Sequence, residues 1–269
     1  MTYWQQKVAV VTGASQGFGK VLAHELVKLG AQVVIVARDP ARLEAAAAEL
    51  DAGGQQVTPL AADLTDDQAV ARLFQEIEQR YGKLDALFNI AGASARGRVS
   101  ETTIDDFLTS FDVNVLATVR CVQAALPMLQ RSRGHIVNMG SLASKSASKF
   151  IGPYAASKFA LAGLNHQLRL ESEDAGIHVL LVCPGPIARE DGGARYTEQT
   201  AGLPETAQKP GAGVKVKAID PHVLALRMLM ACEKRRIELV MPGKARILFA
   251  VSQLSAQWGD WLLKRFTSS

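Results

Sequence analysis

The chain is poor in the residues that mark several large protein classes. Three cysteines in 269 residues, Cys121, Cys183 and Cys232, stand in apolar surroundings with no Cys–His signature and no metal-ligand spacing. That pattern excludes a disulfide scaffold, gives no reason to expect a metal, and fits buried thiols in a reducing compartment. Aromatic residues make up only 6%, and the net charge of +4 is dilute apart from Lys234-Arg235-Arg236 and residues 244–269. A nucleic-acid surface needs clustered cations and stacking rings, so nucleic acid is not an expected partner. No apolar run reaches the roughly 18 residues that span a bilayer, and a polar, tag-like stretch from Thr2 to Lys7 is expected to lead directly into the first strand, with no signal peptide. The expectation is a cytoplasmic protein.

What is there is enough apolar residue to fill a core, 48% against 21% charged. Short β-branched runs alternate with longer helical stretches, as a parallel sheet covered by helices requires. Strands are predicted at 8–12, 33–37, 57–61, 84–89, 135–139, 177–183 and 237–241. Seven strands in βα alternation predict one α/β domain over 1–243. Its fold class is the doubly wound Rossmann fold, a seven-stranded parallel sheet with helices on both faces. Asp39-Pro40, Thr65-Asp66-Asp67 and Asp220-Pro221 read as helix starts, and Gly82 as a stop. A long helix is expected over 103–131, with Pro127 kinking its last turn or ending it early. Residues 184–217 hold six glycines and four prolines with no sustained period, the mark of a lid or binding loop.

The first strand runs into Thr12-Gly13-Ala14-Ser15-Gln16-Gly17-Phe18-Gly19, followed by a helical pattern. Glycines let the backbone approach a pyrophosphate, and a helix N-terminus offers N–H groups to it. A tight strand–helix connection is the plainer reading of such a turn alone. At the end of the second strand an NAD site places Asp or Glu on the ribose, about 20 residues on. Here Val36-Ala37-Arg38 puts a guanidinium in that place, suited to a 2′-phosphate, so NADP(H) is the expected coenzyme. The alternative for Arg38 is a solvated surface residue. Asp63, after the third strand, could accept from an adenine amino group or help cap the helix beginning near Asp66.

Tyr154 and Lys158 lie four residues apart, on one face of a helix. A fixed cation favours phenolate, and such a tyrosine can exchange a proton with a carbonyl or alcohol oxygen. A pair at this spacing is commonly structural, but it has companions. Ser141 follows the fifth strand at its carboxyl end, where open α/β sheets bind ligands. Asn114 sits in a helix, where an amide needs a reason.

In this order and spacing the residues resemble the classical short-chain dehydrogenase/reductase family. The resemblance covers residues 7 to about 243 and rests on several motifs. They are the Thr12–Gly19 turn, Asp63-Leu64, Asn89-x-Ala91-Gly92, Asn114, Ser141, Tyr154-x-x-x-Lys158 and Pro184-Gly185. It implies Tyr154 as acid/base, Ser141 orienting the substrate oxygen, and Lys158 binding the nicotinamide ribose while lowering the phenol's pKa. Asn114 would hold a water on the proton path. The coenzyme would lie on Gly13, Ser15, Gln16, Gly17, Phe18, Gly19, Arg38, Asp63, Leu64, Asn89, Ala91, Gly92, Tyr154, Lys158, Pro184, Gly185 and Ile187. The substrate would be a small-molecule carbonyl or alcohol, and the assembly a homodimer or homotetramer. Two positions depart from the family pattern: Ile90 stands where a second Asn is common, and Arg189 where a Thr commonly holds the carboxamide. That contact then falls to the Ile187 backbone or another part of the loop.

Beyond 243, Ile247, Val251, Leu254, Trp258, Trp261 and Leu262 recur at helical spacing, with Lys244, Arg246, Lys264 and Arg265 at the ends. One basic amphipathic helix is expected over this extension, 244–269. It would pack on its own body or a partner subunit, or else make peripheral contact with a membrane surface. Family members that reduce steroids and long-chain lipids carry similar tails, which implies a lipophilic ketone or aldehyde. Two competing readings are a non-catalytic NADP(H)-binding regulator and a methyltransferase with a similar glycine turn. The first leaves Ser141, Tyr154 and Lys158 idle, and the second leaves Arg38 and the Tyr–Lys pair unexplained.

Overall fold

The computed structural model describes residues 2–189, 196, 198–200, 202–208 and 216–266. Seven strands form one parallel sheet: β1 (Val8–Thr12), β2 (Gln32–Ala37), β3 (Val57–Ala61), β4 (Ala86–Asn89), β5 (His135–Met139), β6 (His178–Pro184) and β7 (Glu238–Met241). Their order is β3-β2-β1-β4-β5-β6-β7, so the winding reverses between β1 and β4. The crossovers carry α1 (Gly17–Lys28), α2 (Pro40–Leu50), α3 (Asp67–Tyr81), α4 (Ile104–Phe111), α5 (Ala117–Ser132), α6 (Pro153–Glu171) and α7 (Pro221–Glu233). The expected single doubly wound domain is the fold observed.

Alternate residues of a strand face opposite sides of the sheet. In β1, Ala9 and Val11 join Leu22 and Leu26 of α1 and Leu224 and Met228 of α7. Val8 and Val10 join Leu73 and Ile77 of α3 and Cys121 and Leu129 of α5. Both faces are therefore covered, which is why the strands read as unbroken apolar runs. The helix starts also hold. Asp39, Asp66 and Asp220 accept backbone N–H groups at the N-termini of α2, α3 and α7, and Gly82 closes α3. Strand ends move by one or two residues; β4 begins at Ala86 rather than 84.

Three expectations need correction. The helix expected over 103–131 is divided into α4, a π-helical turn at Asp112–Leu116, and α5. Pro127 does not end α5, which runs on to Ser132. Gln123, whose carbonyl loses a donor to Pro127, is exposed to water, while Ala125, Met128 and Leu129 hold the helix to the sheet. The extension is two helices, α8 (Ala245–Leu254) and α9 (Ala256–Phe266), parted by extended backbone at Ser255. Phe249 docks against Leu181, Cys183 and Val240, whereas Ile247, Leu254, Trp258 and Trp261 stay exposed. Among the described residues no helix is long and apolar enough to cross a membrane.

The third correction lies at the start of the chain, which composition marks as a polar lead-in. Trp4 is fully buried, 5.9 Å from the Phe88 ring. Beside it runs a hydrogen-bonded chain: Tyr3 hydroxyl to His135 Nε2 at 2.6 Å, His135 Nδ1 to His178 Nδ1 at 2.8 Å, and His178 Nε2 to the Arg236 carbonyl at 2.8 Å. A carbonyl only accepts, so His178 carries its proton on Nε2, His135 on Nδ1, and Tyr3 donates. Both imidazoles are neutral in this arrangement. Burial pushes the His135 pKa down from 6.5 to about 3. The unfolded chain takes up a proton below 6.5 that the folded one refuses, so stability is lost as pH falls through the window from 6.5 towards 3. In urea unfolding, His135→Phe should flatten the loss of stability between pH 6.5 and 4; an unchanged slope would show that folded His135 charges freely.

Candidate functional site

Every strand of a parallel sheet ends on the same edge, and the winding reversal leaves a crevice there. The turn after β1 sits at that crevice. Gly13 N–H donates to the Val36 carbonyl at 2.7 Å, fastening the turn to the end of β2. Thr12 Oγ1 accepts from the N–H groups of Ile90 and Ala91 at 2.9 and 3.0 Å, fastening it to the segment after β4. A Cβ on Gly19 would lie 2.4 Å from the Gly13 carbonyl oxygen, so only glycine lets α1 begin this close to β1. Gln16 provides no side-chain cap for α1, leaving its first N–H groups to face the crevice with Ser15, Gln16 and Gly17 around them. Phe18 turns inward and is buried.

Arg38 is exposed at the carboxyl end of β2. Asp63 does not cap α3, because Asp66 does. Its Oδ1 accepts from the Thr65 N–H at 3.0 Å and the Thr65 hydroxyl at 2.7 Å. These bonds hold its carboxyl below the usual range against some burial, with Arg38 and Arg120 adding to the effect. Leu64 is buried behind it. Asn89 is buried at the end of β4. Its amide donates to Asn138 at 2.9 Å and its Oδ1 has no partner.

A cavity of about 930 Å³ opens beside the turn, lined by Phe18, Gly92, Ser141, Tyr154, Lys158 and Ile187 among others. Three of these are the sequence-predicted chemical residues, arriving from β5 and α6. Ser141 precedes a short 3-10 turn and accepts from the Ala143 N–H at 3.1 Å. Its hydroxyl acts on the Tyr154 phenol, favouring the charged form. Lys158 is buried; its Nζ donates to the Met139 carbonyl at 2.7 Å and lies 5.7 Å from the Tyr154 ring centroid. Burial lowers its pKa to about 8. The expected lowering of the phenol by Lys158 is not found. Burial pushes the Tyr154 pKa up, opposed first by the Ser141 hydrogen bond and then by the charges of Arg96 and Arg189.

Asn114 does not line the cavity. It stands behind Gly92, where a Cβ would come 2.8 Å from its Oδ1. That oxygen accepts from the Ala93 N–H, and its Nδ2 donates to the Ala93 carbonyl, both at 2.9 Å, and to Ser157 Oγ at 3.1 Å. On the opposite wall Pro184 ends β6 and Gly185 N–H donates to the Met241 carbonyl. Ile187 bridges Ile219 in parallel, but the bonds use the Pro186 carbonyl and the Ala188 N–H, so the polar groups of Ile187 point away from that pairing. Arg189 lines the cavity too. Asn89, Ala91, Arg38 and Asp63 lie outside it, towards the turn.

Sequence reasoning missed part of the wall: Ser94, Arg96, Ile151, Tyr196, Phe249 and Leu263. The sequence signal there is Arg96 among small residues in Ala93-Ser94-Ala95-Arg96-Gly97, with Arg98 following. The rest come together from distant segments. Much of the expected 184–217 loop falls outside the described residues, but its Tyr196 and Val216 line the cavity, as does Ala218 just beyond it. All three cysteines are free and buried, and burial pushes Cys121 and Cys183 up to about 12.

A glycine-clamped strand–helix turn thus stands beside a cavity lined by Ser141, Tyr154 and Lys158. The short chain dehydrogenase family profile matches residues 7–199. An uncharacterized oxidoreductase of Staphylococcus aureus is 34% identical over 188 residues, 70% of this chain and 80% of that one. A short-chain dehydrogenase/reductase of Burkholderia phymatum, solved in complex with NAD, is 25% identical with a TM-score of 0.83 and covers 96% of each chain. A metagenomic short-chain oxidoreductase in complex with NADP is 28% identical with a TM-score of 0.71, covering 88% of this chain and 96% of that one. The chain belongs to the short-chain dehydrogenase family and is an oxidoreductase of that family. Gly19→Ala should force β1 and α1 apart, lowering stability by about 1–3 kcal/mol in thermal unfolding; an unchanged melting temperature would mean that the turn has slack the distances do not allow.

Proposed function

We propose that the protein is an NADP(H)-dependent oxidoreductase moving a hydride between nicotinamide and a carbonyl or secondary alcohol carbon. The observation that carries this reading is the convergence of Ser141, Tyr154 and Lys158 on one wall of a cavity next to the glycine turn. The residues suit a dinucleotide. The turn leaves N–H groups facing outward, close glycine packing leaves room for a pyrophosphate, and Arg38 stands where a ribose 2′-phosphate would fall. Gly13, Ser15, Gln16, Gly17, Phe18 and Gly19 would hold the phosphates, with Asp63 and Leu64 beside the adenine. Asn89, Ala91 and Gly92 would line the ribose side, and Pro184, Gly185 and the Ile187 backbone the carboxamide. When bound, the nicotinamide supplies or accepts the hydride.

The chain's own residues handle the proton. Ser141 and Tyr154 line the same cavity, so an oxygen placed against both hydroxyls would be oriented by one and protonated or deprotonated by the other. A phenol kept neutral by burial is ready as a proton donor, the state that carbonyl reduction needs. Lys158 Nζ, fixed by the Met139 carbonyl, would present its remaining protons to ribose hydroxyls, and Asn114 acts by fixing Ala93 beside Gly92. The cavity's Leu142, Ile151, Leu248, Phe249 and Leu262 favour a lipophilic ketone or aldehyde.

Residues 1–243 form the catalytic body and 244–269 an extension. Exposed Ile104 and Leu108 on α4 and Phe159 on α6 support a homodimer or homotetramer. Exposed Trp258 and Trp261, flanked by Lys264 and Arg265, support peripheral membrane contact by an otherwise cytoplasmic protein. NADPH oxidation screened over ketones and aldehydes of graded size tests the activity. Tyr154→Phe should lower kcat roughly 100- to 10,000-fold with little change in coenzyme affinity; a variant keeping most of its rate would refute the mechanism. Arg38→Asp should turn the kcat/KM preference from NADPH towards NADH, and equal losses with both would refute the 2′-phosphate contact.

A further inference from the structure

Arg96 is a buried charge with no part in the proton transfer described above. It is 8% exposed, and a buried guanidinium is costly unless its N–H groups meet acceptors. Nε donates to the Ala207 carbonyl at 2.8 Å and a terminal nitrogen to the Ala95 carbonyl at 3.0 Å. The guanidinium carbon lies 3.8 Å from the centroid of the Tyr196 ring. Its backbone N–H donates to Gln199 Oε1 at 3.0 Å, and the Ser94 hydroxyl pairs with the Tyr196 phenol. Residues 94–96 are thus tied to Tyr196, Gln199 and Ala207, three points of the segment between β6 and α7.

The neighbouring residue extends the tie to the chemistry. Gly97 bridges Ile151, with its N–H on the Phe150 carbonyl and its own carbonyl accepting from Gly152. Tyr154 N–H in turn donates to the Ile151 carbonyl. On the other side Ala93 is held by Asn114. Arg96, Tyr196 and Tyr154 line one cavity. The polar groups facing Tyr154 are the hydroxyls of Ser141 and Tyr196 and the cations Arg96, Arg189 and Lys158; among the described residues no carboxylate lines that cavity.

We propose that Arg96 is a positioning residue, whose guanidinium holds Tyr196 and Ala207 in place as a wall of the substrate cavity and places positive charge in the cavity that holds the Tyr154 phenol. The inference rests on the oxidoreductase reading above. A planar guanidinium can stack on a ring while donating in its own plane, which an ammonium cannot do. A fixed cation favours phenolate, the form that takes a proton from an alcohol, so the charge serves the oxidative direction.

The test is the pH dependence of kcat/KM for oxidation of cyclohexanol or phenylethanol with NADP+. In Arg96→Met the ascending limb should move to higher pH, because losing the cation raises the phenol's pKa, and KM should rise. Arg96→Lys should keep the limb near its original place yet show the higher KM, since charge remains and the fork is lost. Tyr196→Leu should raise KM without moving the limb upward, and it carries the wall half of the test if Arg96→Met fails to fold. An Arg96→Met profile that overlays the parent would overturn the proposal, and so would an equal shift in Arg96→Lys. Tyr154→Phe separates the two readings. If it retains its rate, the assigned reaction fails; if it is inactive while the Arg96 variants behave like the parent, only this proposal fails.

Discussion

The buried amide of Asn114 is the joint on which the site depends. An amide out of reach of water must satisfy both its ends, and this one does so on the two backbone groups of Ala93. The pairing fixes the segment after β4 against the helical layer, and the further bond to Ser157 fixes the same layer to α6. Ser157 donates on to the Tyr154 carbonyl. A turn of π-helix at Asp112–Leu116 carries this amide, and such turns recur where a side chain must be re-aimed for function. Gly92 has no Cβ because the Asn114 oxygen already takes that place.

Charge in the cavity follows from burial rather than from the Tyr–Lys spacing. The Lys158 ammonium is committed to the Met139 carbonyl, and desolvation brings its pKa down to about 8. The phenol is raised by the same cause, and the cations that oppose it are arginines from other segments. Apolar walls with a few convergent polar groups are the usual makeup of a small-molecule site.

How much was legible in the sequence depended on how local the physics is. Strand positions, caps and the Thr12–Gly19 turn are local, and they lie where the pattern put them, to within a residue or two. Ser141, Tyr154 and Lys158 were legible because their motifs sit at strand ends and on one helix face. The π turn was not, because Asn114 is drawn out of a regular helix by Ala93, a partner 21 residues away. Trp4 was misread because its partners are Phe88 and His135, far along the chain. The tail's stripe has a helical period throughout, and the break at Ser255 does not interrupt it.

The sequence by itself determined the doubly wound sheet, the glycine turn and the placing of Ser141, Tyr154 and Lys158 at a strand end and on one helix face, since periodicity, capping and backbone sterics act over a few neighbours. Only the tertiary structure decided where Arg96 and Tyr196 stand, how α8 and α9 fold back, and which way the phenol's pKa moves. Those outcomes depend on desolvation and on contacts between segments a hundred residues apart, such as Arg96 and Ala207. Neither is written in any local stretch of the chain.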